Sequence, residues 1–284
     1  LTSATLAVDG RFDHFQKRLG LEAAETLRLD SPFDYASNTL LYVPESLPEP
    51  RDPRFNEAYL NAVEPVLEAS GGRAFLLFTS HRALRQAADW LRSRDWSGLL
   101  VQGEAAPKQL LERFRETPGA VLLGTQSFWE GVDVRGPALS CVMIDRLPFA
   151  SPGDPVLQAR VAWLREQGRN PFGEYQIPEA VIGLRQGVGR LIRDISDRGV
   201  LVLGDTRILG KSYGRLFRKS LPPMPLVRAL EPVAAFFGAQ PSTGWWVLCG
   251  SWVARPVTGG LKAQISRMSS VPPRSVWRSC WSRA

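Results

Sequence analysis

Short apolar runs alternate along the chain with longer stretches in which apolar residues recur every three or four positions. The runs predict β-strands at 73–78, 98–101, 120–123, 139–144 and 200–203. The longer stretches predict helices at 55–69, 82–94, 108–115 and 156–167. Strands that are apolar throughout and separated by helices indicate an α/β fold, in which helices cover both faces of a parallel sheet.

The chain before residue 54 has a less regular pattern. It predicts a short helix at 11–21, a break at Ser31-Pro32 and a strand at 40–43. Four prolines between Pro44 and Pro53 mark a linker. We therefore predict an N-terminal segment, a linker, a main domain and a tail, at 1–43, 44–53, 54–230 and 231–284.

The tail differs in composition from the rest of the chain. It holds five of the nine tryptophans, and no acidic residue follows Glu231. From Leu221 onward, seven Lys and Arg against one acidic residue give +6 of the net charge of +7, so the main domain is nearly neutral. We expect the tail to be a non-native, largely disordered segment; the alternative is a basic, aromatic tail that binds nucleic acid.

The composition narrows the class of protein. A chain of 284 residues with 44% hydrophobic residues can bury a sizeable core. No apolar run approaches the roughly eighteen residues of a membrane-spanning helix, and the first residues do not resemble a signal peptide, so we expect a cytoplasmic protein. The three cysteines are too dispersed for a disulfide framework or a metal site, and Cys141 is predicted to lie in the core.

Small polar residues follow three of the predicted strands. Thr79 and Ser80 follow the first, Gln102 the second and Thr125 the third. Ligands of parallel sheets bind at the carboxyl ends of the strands, and hydroxyl groups and exposed amides there can donate to phosphate oxygens without reading bases. We predict a nucleic-acid contact; the alternative is that each residue is a surface or capping residue, with Ser80 well placed as a helix N-cap.

The stretch 186–193 reads Gln-Gly-Val-Gly-Arg-Leu-Ile-Arg. Arg190 and Arg193 are three apart, so on a helix they would share one side and reach one anion. Gly187 and Gly189 are poor helix residues, which suggests close approach of a ligand to the backbone. The stretch predicts a phosphate site at the functional edge of the sheet; a solvated basic helix face is the alternative.

Four stretches together resemble the motifs of superfamily 2 helicases, in the expected order. They are Leu-Thr-Ser-Ala-Thr-Leu at 1–6, the strand ending in Phe-Thr-Ser at 74–80, Phe-Trp-Glu-Gly-Val-Asp within 124–134, and the stretch 186–193. The Ile192-Arg193 ending resembles the XPD/DinG-like branch of DNA helicases. The resemblance implies that the main domain is the RecA-like second motor domain.

The resemblance also implies roles for particular residues. Arg190 and Arg193 correspond to catalytic arginines that offset charge on the transferring phosphoryl group of ATP, with Arg193 the first candidate for the finger. Ser3 and Thr5 correspond to residues that couple the nucleotide state to the grip on DNA. The resemblance further implies ATP-binding positions at Gln186, Gly189, Glu130, Gly131 and Asp133; the alternatives are an exposed helix glutamine at Gln186 and a turn with two solvated acids at Glu130 and Asp133.

In the resembling family, other parts of the machinery precede the first of these motifs. They include the phosphate loop and the acidic Mg²⁺-binding box of the first motor domain, and four cysteines that bind a 4Fe-4S cluster. We therefore expect this chain to be a fragment that needs the first motor domain as its partner. The implied function is ATP-driven 5′-3′ movement and unwinding on single-stranded or forked DNA, in repair or replication; the alternative is an inert nucleic-acid-binding module or remnant.

A second glycine-rich stretch, 204–212, ends in Gly-Lys-Ser as a phosphate loop does. It has five residues between Gly204 and Gly210 where a phosphate loop has four, so its amides would not form the same cradle. The resemblance favours an ordinary strand followed by a helix. His14 and His81 each lack a nearby second ligand, and no metal site is predicted.

Overall fold

The parallel sheet predicted from the apolar runs is present in the computed structural model, which describes residues 3, 5–125, 128 and 138–238. The sheet has seven strands in the order β3-β4-β2-β5-β6-β1-β7. Every neighbouring pair is parallel. The strands are β1 (Thr39–Tyr42), β2 (Ala74–Phe78), β3 (Leu99–Val101), β4 (Val121–Thr125), β5 (Cys141–Ile144), β6 (Gly199–Leu203) and β7 (Leu226–Val227).

Helices connect the strands and cover both faces of the sheet. Ser80 accepts a hydrogen bond from the Ala83 amide and so caps α4, as the sequence predicts, and Asp154 caps α6 in the same way. A π-helical turn, Phe172–Gln176, precedes α7. The helices are α1 (Asp13–Leu19), α2 (Tyr35–Asn38), α3 (Phe55–Ser70), α4 (His81–Arg92), α5 (Pro107–Glu116), α6 (Pro155–Glu166), α7 (Ile177–Val188), α8 (Arg207–Gly210), α9 (Gly214–Ser220) and α10 (Glu231–Phe236).

Two apolar clusters, one on each face of the sheet, form the core. Successive residues of a strand point to opposite faces, so Phe75 and Leu77 enter one cluster and Leu76 and Phe78 the other. Helices α5 and α7 pack on the first face, and α3 and α4 pack on the second. Cys141 is fully buried in the second cluster, which confirms its prediction as a core residue.

The domain boundaries differ from those expected. Strand β1, assigned from the sequence to the segment before the linker, lies inside the sheet between β6 and β7. Helix α10, assigned to the tail, packs against α3 through the fully buried Val233. Pairing between strands distant in sequence leaves no local mark, so the pattern alone could not place β1. Residues 239–284, for which disorder was expected, lie outside the described residues.

Candidate functional site

Two of the predicted phosphate ligands meet at the carboxyl ends of neighbouring strands. Gln102 follows β3, and Thr125 ends β4. The side-chain oxygen of Gln102 accepts hydrogen bonds from the Thr125 amide (2.6 Å) and the Thr125 hydroxyl (3.1 Å). The Thr125 amide, expected to be exposed and available to a ligand, is therefore satisfied within the protein. The hydrogen bond from the Thr125 amide orients the Gln102 side chain through its oxygen. The NH₂ group of Gln102 is then the part of the side chain that can donate to a ligand.

A buried carboxylate, which the sequence analysis missed, occupies the next strand end. Asp145 follows β5 and is 1% exposed. It accepts hydrogen bonds from the Thr79 amide (3.0 Å), the Arg146 amide (2.7 Å) and Arg146 Nη1 (2.7 Å). Burial raises the pKa of Asp145 to about 6, although the charge of Arg146 and these hydrogen bonds favour the ionised form. The Thr79 amide, like that of Thr125, is consequently engaged inside the protein.

Arg146 extends this network to the chain that leads into α3. Its Nη2 donates to the side-chain oxygen of Asn56 (2.7 Å), and its Nε donates to the Pro50 carbonyl (3.3 Å). The guanidinium carbon lies 4.2 Å from the centre of the Phe55 ring. One arginine thus ties the ends of β2 and β5 to the predicted linker, so the linker is held against the domain.

A second buried Asp-Arg pair lies at the end of β6. Asp205 is fully buried and accepts hydrogen bonds from the Leu147 amide (2.9 Å), the Arg207 amide (3.0 Å) and Arg207 Nη2 (2.6 Å). A Cβ on Gly204 would lie 2.5 Å from the Tyr59 ring, so this glycine is needed for close packing. The stretch that ends in Gly-Lys-Ser therefore folds as a strand end and short helices, in agreement with the reading favoured by the resemblance.

Ser80 is the exposed member of the predicted nucleic-acid set. Its oxygen accepts from the Ala83 amide (3.2 Å) at the start of α4. Among the residues that the structure describes, no acceptor is in hydrogen-bond range of its hydroxyl hydrogen, which can serve a ligand. Capping and ligand binding are therefore compatible at this residue.

The stretch 186–193 is not one continuous helix. Helix α7 ends at Val188, and the Arg190 amide donates to the Gly187 carbonyl in a tightened turn (3.1 Å). The amide of Arg193 donates to the side chain of Asp197 (2.8 Å). The prediction that both arginines lie on one helix was therefore wrong. Two glycines weaken the helix here, and the Asp197 carboxylate offers the backbone a competing acceptor.

The backbone of the two arginines lies near the amino end of β6, at the opposite edge of the sheet from Thr79, Gln102 and Thr125. Leu191, between them in sequence, packs so closely on Gly199, the first residue of β6, that a Cβ there would lie 2.4 Å from its side chain. Helix α7 has 12 residues and is therefore about 18 Å long, and the chain reaches the amino end of β6 shortly after it, at Leu191. The expectation that the arginines share the edge with the strand-end residues is corrected.

Both arginines are half-buried, with the Nε atoms inaccessible to solvent. Leu191 and Ile192 next to them are 2% and 4% exposed. Gln186 is half-buried one turn earlier, and Gly189 is exposed. A basic face that was only solvated would not bury guanidinium nitrogens, so the arrangement is that of positioned cations.

Some predicted site residues cannot be placed in this site. Glu130, Gly131 and Asp133 lie outside the described residues. The hydroxyl groups of Ser3 and Thr5 lie 3.4 Å apart near the start of the chain.

In the described parts, no cluster of three or more His, Cys, Asp or Glu side chains is arranged to hold a metal ion, and no helix is long and apolar enough to cross a membrane.

Comparison with known proteins assigns the chain to a family. The family described as helicase C-terminal domain matches residues 63–224, more than half of the chain. The chain belongs to the helicase C-terminal domain family. The prediction of an XPD/DinG-like, superfamily 2 helicase C-terminal region is thereby confirmed.

Two curated relatives show how much of a helicase the chain represents. It is 48% identical over 242 residues to the ATP-dependent DNA helicase YoaA of Escherichia coli, covering 85% of this chain and 38% of the relative. It is 41% identical over 227 residues to the ATP-dependent helicase DinG of Mycobacterium tuberculosis, covering 78% of this chain and 34% of the relative. The chain thus spans little more than a third of the length of these relatives.

Solved structures confirm the fold. The structure XPD_APO is similar with a TM-score of 0.57 at 16% identity, over 76% of this chain and 46% of the other. Dbp5 of S. cerevisiae, bound to RNA and ADP BeF3, is similar with a TM-score of 0.53 at 16% identity, over 83% of this chain and 53% of the other. At such identities the likeness concerns the fold alone, and the helicase domain has the predicted RecA-like architecture.

Proposed function

We propose that this helicase domain is the second motor domain of an ATP-dependent DNA helicase, which couples ATP hydrolysis to 5′-3′ movement along single-stranded or forked DNA during repair or replication. The names of the relatives support the activity. The observation that carries the proposal is that two polar groups lie at opposite edges of one sheet. One group is the strand-end residues, Thr79, Ser80, Gln102 and Thr125, and the other is the arginine turn, 189–193. A motor that couples two ligands needs both groups on one body.

The arginine turn is suited to ATP. A guanidinium group keeps its charge and meets phosphate oxygens through a planar fork, and burial strengthens its field where charge develops. Arg190 and Arg193, with their buried Nε atoms, fit this requirement. They would act on a nucleotide whose phosphates and Mg²⁺ are held chiefly by a first motor domain, with Glu130, Gly131, Asp133, Gln186 and Gly189 completing the pocket.

The strand-end residues are suited to a nucleic-acid backbone. The internal bonds of Thr79 and Thr125 make these two residues supports, and leave the Gln102 NH₂ group and the Ser80 hydroxyl as the donors toward phosphate. Neither donor can read a base sequence from a phosphate oxygen. Ser3 and Thr5 would link the two ligand states.

A chimaera tests the proposal directly. This chain would replace the matching 38% of the E. coli relative, and DNA-stimulated ATP turnover and strand separation would be measured. We expect both activities in the chimaera and no turnover by the 284-residue chain alone. Turnover by the isolated chain, or a folded chimaera that binds DNA but never hydrolyses ATP, would contradict the proposal.

A further inference from the structure

A groove of about 500 Å³ lies between α1, α6 and the π-helical turn. None of the strand-end residues or the residues of the arginine turn lines it. Its wall holds basic and aromatic side chains, among them Arg11, Lys17, Arg160, Trp163, Arg169 and Tyr175, together with the carboxylates Asp9, Asp13 and Glu174. Its volume is in the range of pockets that accept a small organic group such as a nucleotide.

The aromatic side chains of the groove are matched with guanidinium groups. Trp163 is 48% exposed, unusual for so large an apolar side chain, and the Arg169 guanidinium carbon lies 5.9 Å from its ring centre. The guanidinium carbons of Arg18 and Arg160 lie 5.9 and 5.7 Å from the centre of the Tyr175 ring. Flat rings beside guanidinium groups form a surface on which a nucleobase can stack.

The charges of the groove divide into held and available cations. Carboxylates pair with three arginines: Asp13 with Arg11, Glu179 with Arg18 and Glu174 with Arg169. Lys17 and Arg160 are exposed, and neither forms an ion pair among the residues the structure describes. The pKa of Glu174 is lowered chiefly by its hydrogen bond from Arg169, and the charge of Lys17 contributes to the same shift. Arg160 and Trp163 are three apart on α6 and so share one side of the helix. An available cation therefore lies beside an exposed ring.

We infer that this groove binds a segment of single-stranded nucleic acid, with a base stacked on Trp163 and the backbone phosphates met by Arg160 and Lys17. The inference rests on the proposed function and adds a contact surface outside the strand-end residues. An acidic peptide would satisfy the cations but leave the indole ring uncovered. Stacking with backbone neutralisation is the pattern by which proteins hold single strands without sequence preference.

Anisotropy of a fluorescein-labelled single-stranded oligonucleotide tests the groove in the 284-residue chain. We expect Arg160→Glu and Trp163→Ala each to weaken binding about ten-fold, in the range measured for loss of a stacked base, while Trp163→Phe retains most of the affinity. Arg113→Glu is the matched charge control, since Arg113 is exposed on α5 and does not line the groove. Thermal unfolding of each variant checks that the fold persists.

An oligonucleotide with abasic sites separates stacking from charge. Wild-type chain should bind it more weakly than the intact strand, whereas Trp163→Ala should bind both alike. Equal DNA affinity of wild type, Arg160→Glu and Trp163→Ala would overturn the inference that the groove binds nucleic acid. The same changes made in the chimaera would also overturn it if they lowered stability without lowering DNA affinity, because the rest of the protein would then cover this surface. Absence of ATP turnover in the unmodified chimaera would instead refute the proposed function. Failure of the groove and failure of the proposed function therefore give different results.

Discussion

The two edges of the sheet use aspartate and arginine side chains differently. At the carboxyl ends, Asp145 and Asp205 neutralise Arg146 and Arg207 directly, so charge is held inside the protein. In the turn at the amino ends, Arg190 and Arg193 are half-buried, and an Asp197 carboxylate oxygen is hydrogen-bonded to backbone amides. The arginine charges at the carboxyl ends are therefore paired inside the protein, whereas the two arginines of the turn are partly exposed.

Under the proposed function, this difference suits a different ligand at each edge. A track that must release and rebind phosphates repeatedly benefits from neutral donors such as the Gln102 NH₂ group, because each contact is weak. A group that stabilises a transition state benefits from fixed charge in a partly desolvated place. The comparison predicts that variants of the two edges separate DNA affinity from ATP turnover.

The largest effect is expected for Arg193→Lys in the chimaera. Lysine keeps the charge but loses the planar fork, so ATP turnover should fall by about 10³-fold, the lower end for an arginine finger. The affinity for single-stranded DNA, measured by anisotropy, should stay within about two-fold, because the opposite edge is intact. Arg113→Lys on the exposed surface of α5 is the matched control and should change neither quantity. Parallel loss of turnover and DNA affinity would break the comparison.

Asp145→Ala tests whether the carboxyl-end edge is a support. The change removes the acceptor of Arg146 Nη1 and of the Thr79 amide, and removal of one partner of a buried pair costs about 3 to 5 kcal/mol of the free energy of unfolding. Urea unfolding measures it. Asp52→Ala is the control, because Asp52 pairs with the exposed Arg54 and should contribute little. Equal costs for the two variants would show that the buried network is not a support.

The pH dependence of stability tests the same carboxylate. Burial raises the pKa of Asp145 to about 6 in the folded state, so between about pH 4 and 6 the folded protein holds a proton that the unfolded chain has lost. This contribution stabilises the protein at low pH and is lost as the pH rises through 6. Relative to Asp145→Asn, wild type should lose at most about 3 kcal/mol from pH 4 to 7 in urea unfolding. A constant difference would show that the ionised form is fully compensated.

Much of the fold follows from the sequence because each strand is apolar on both faces. The predicted strand at 73–78 and helix at 55–69 differ from the observed β2 and α3 by one residue at one end. The position of β1 between β6 and β7 could not be predicted, since no local feature of a four-residue strand specifies its neighbours. The path of the chain after α7 is held by the Asp197 side chain, which accepts from the Arg193 and Asp194 amides, and no local pattern specifies these bonds.

The site is less accessible to sequence reasoning than the fold. Asp145 was not predicted, although the sequence contains a signal for it. It directly follows a fully apolar strand and precedes an arginine. The end of a buried parallel strand is where such a carboxylate can accept amides of the neighbouring strand end. The engagement of the Thr79 and Thr125 amides cannot be predicted from the sequence, because their hydrogen-bond partners lie 66 and 23 residues away in the chain.

The smallest effect is expected for Gln102→Glu, which separates the two functions of this side chain. Glutamate retains an oxygen for the Thr125 amide and hydroxyl, so the free energy of unfolding should change little. It replaces the NH₂ donor with a negative charge, so single-stranded DNA affinity should fall about three- to ten-fold, the range of one lost hydrogen bond. Gln102→Leu is the complement, because it removes both groups and with them the hydrogen bonds from the Thr125 amide and hydroxyl, at a cost of about 1 to 3 kcal/mol in urea unfolding. If Gln102→Glu preserved both stability and DNA affinity, Gln102 would only support the end of β4 through Thr125. Ser80 would then be the remaining candidate donor to DNA phosphates.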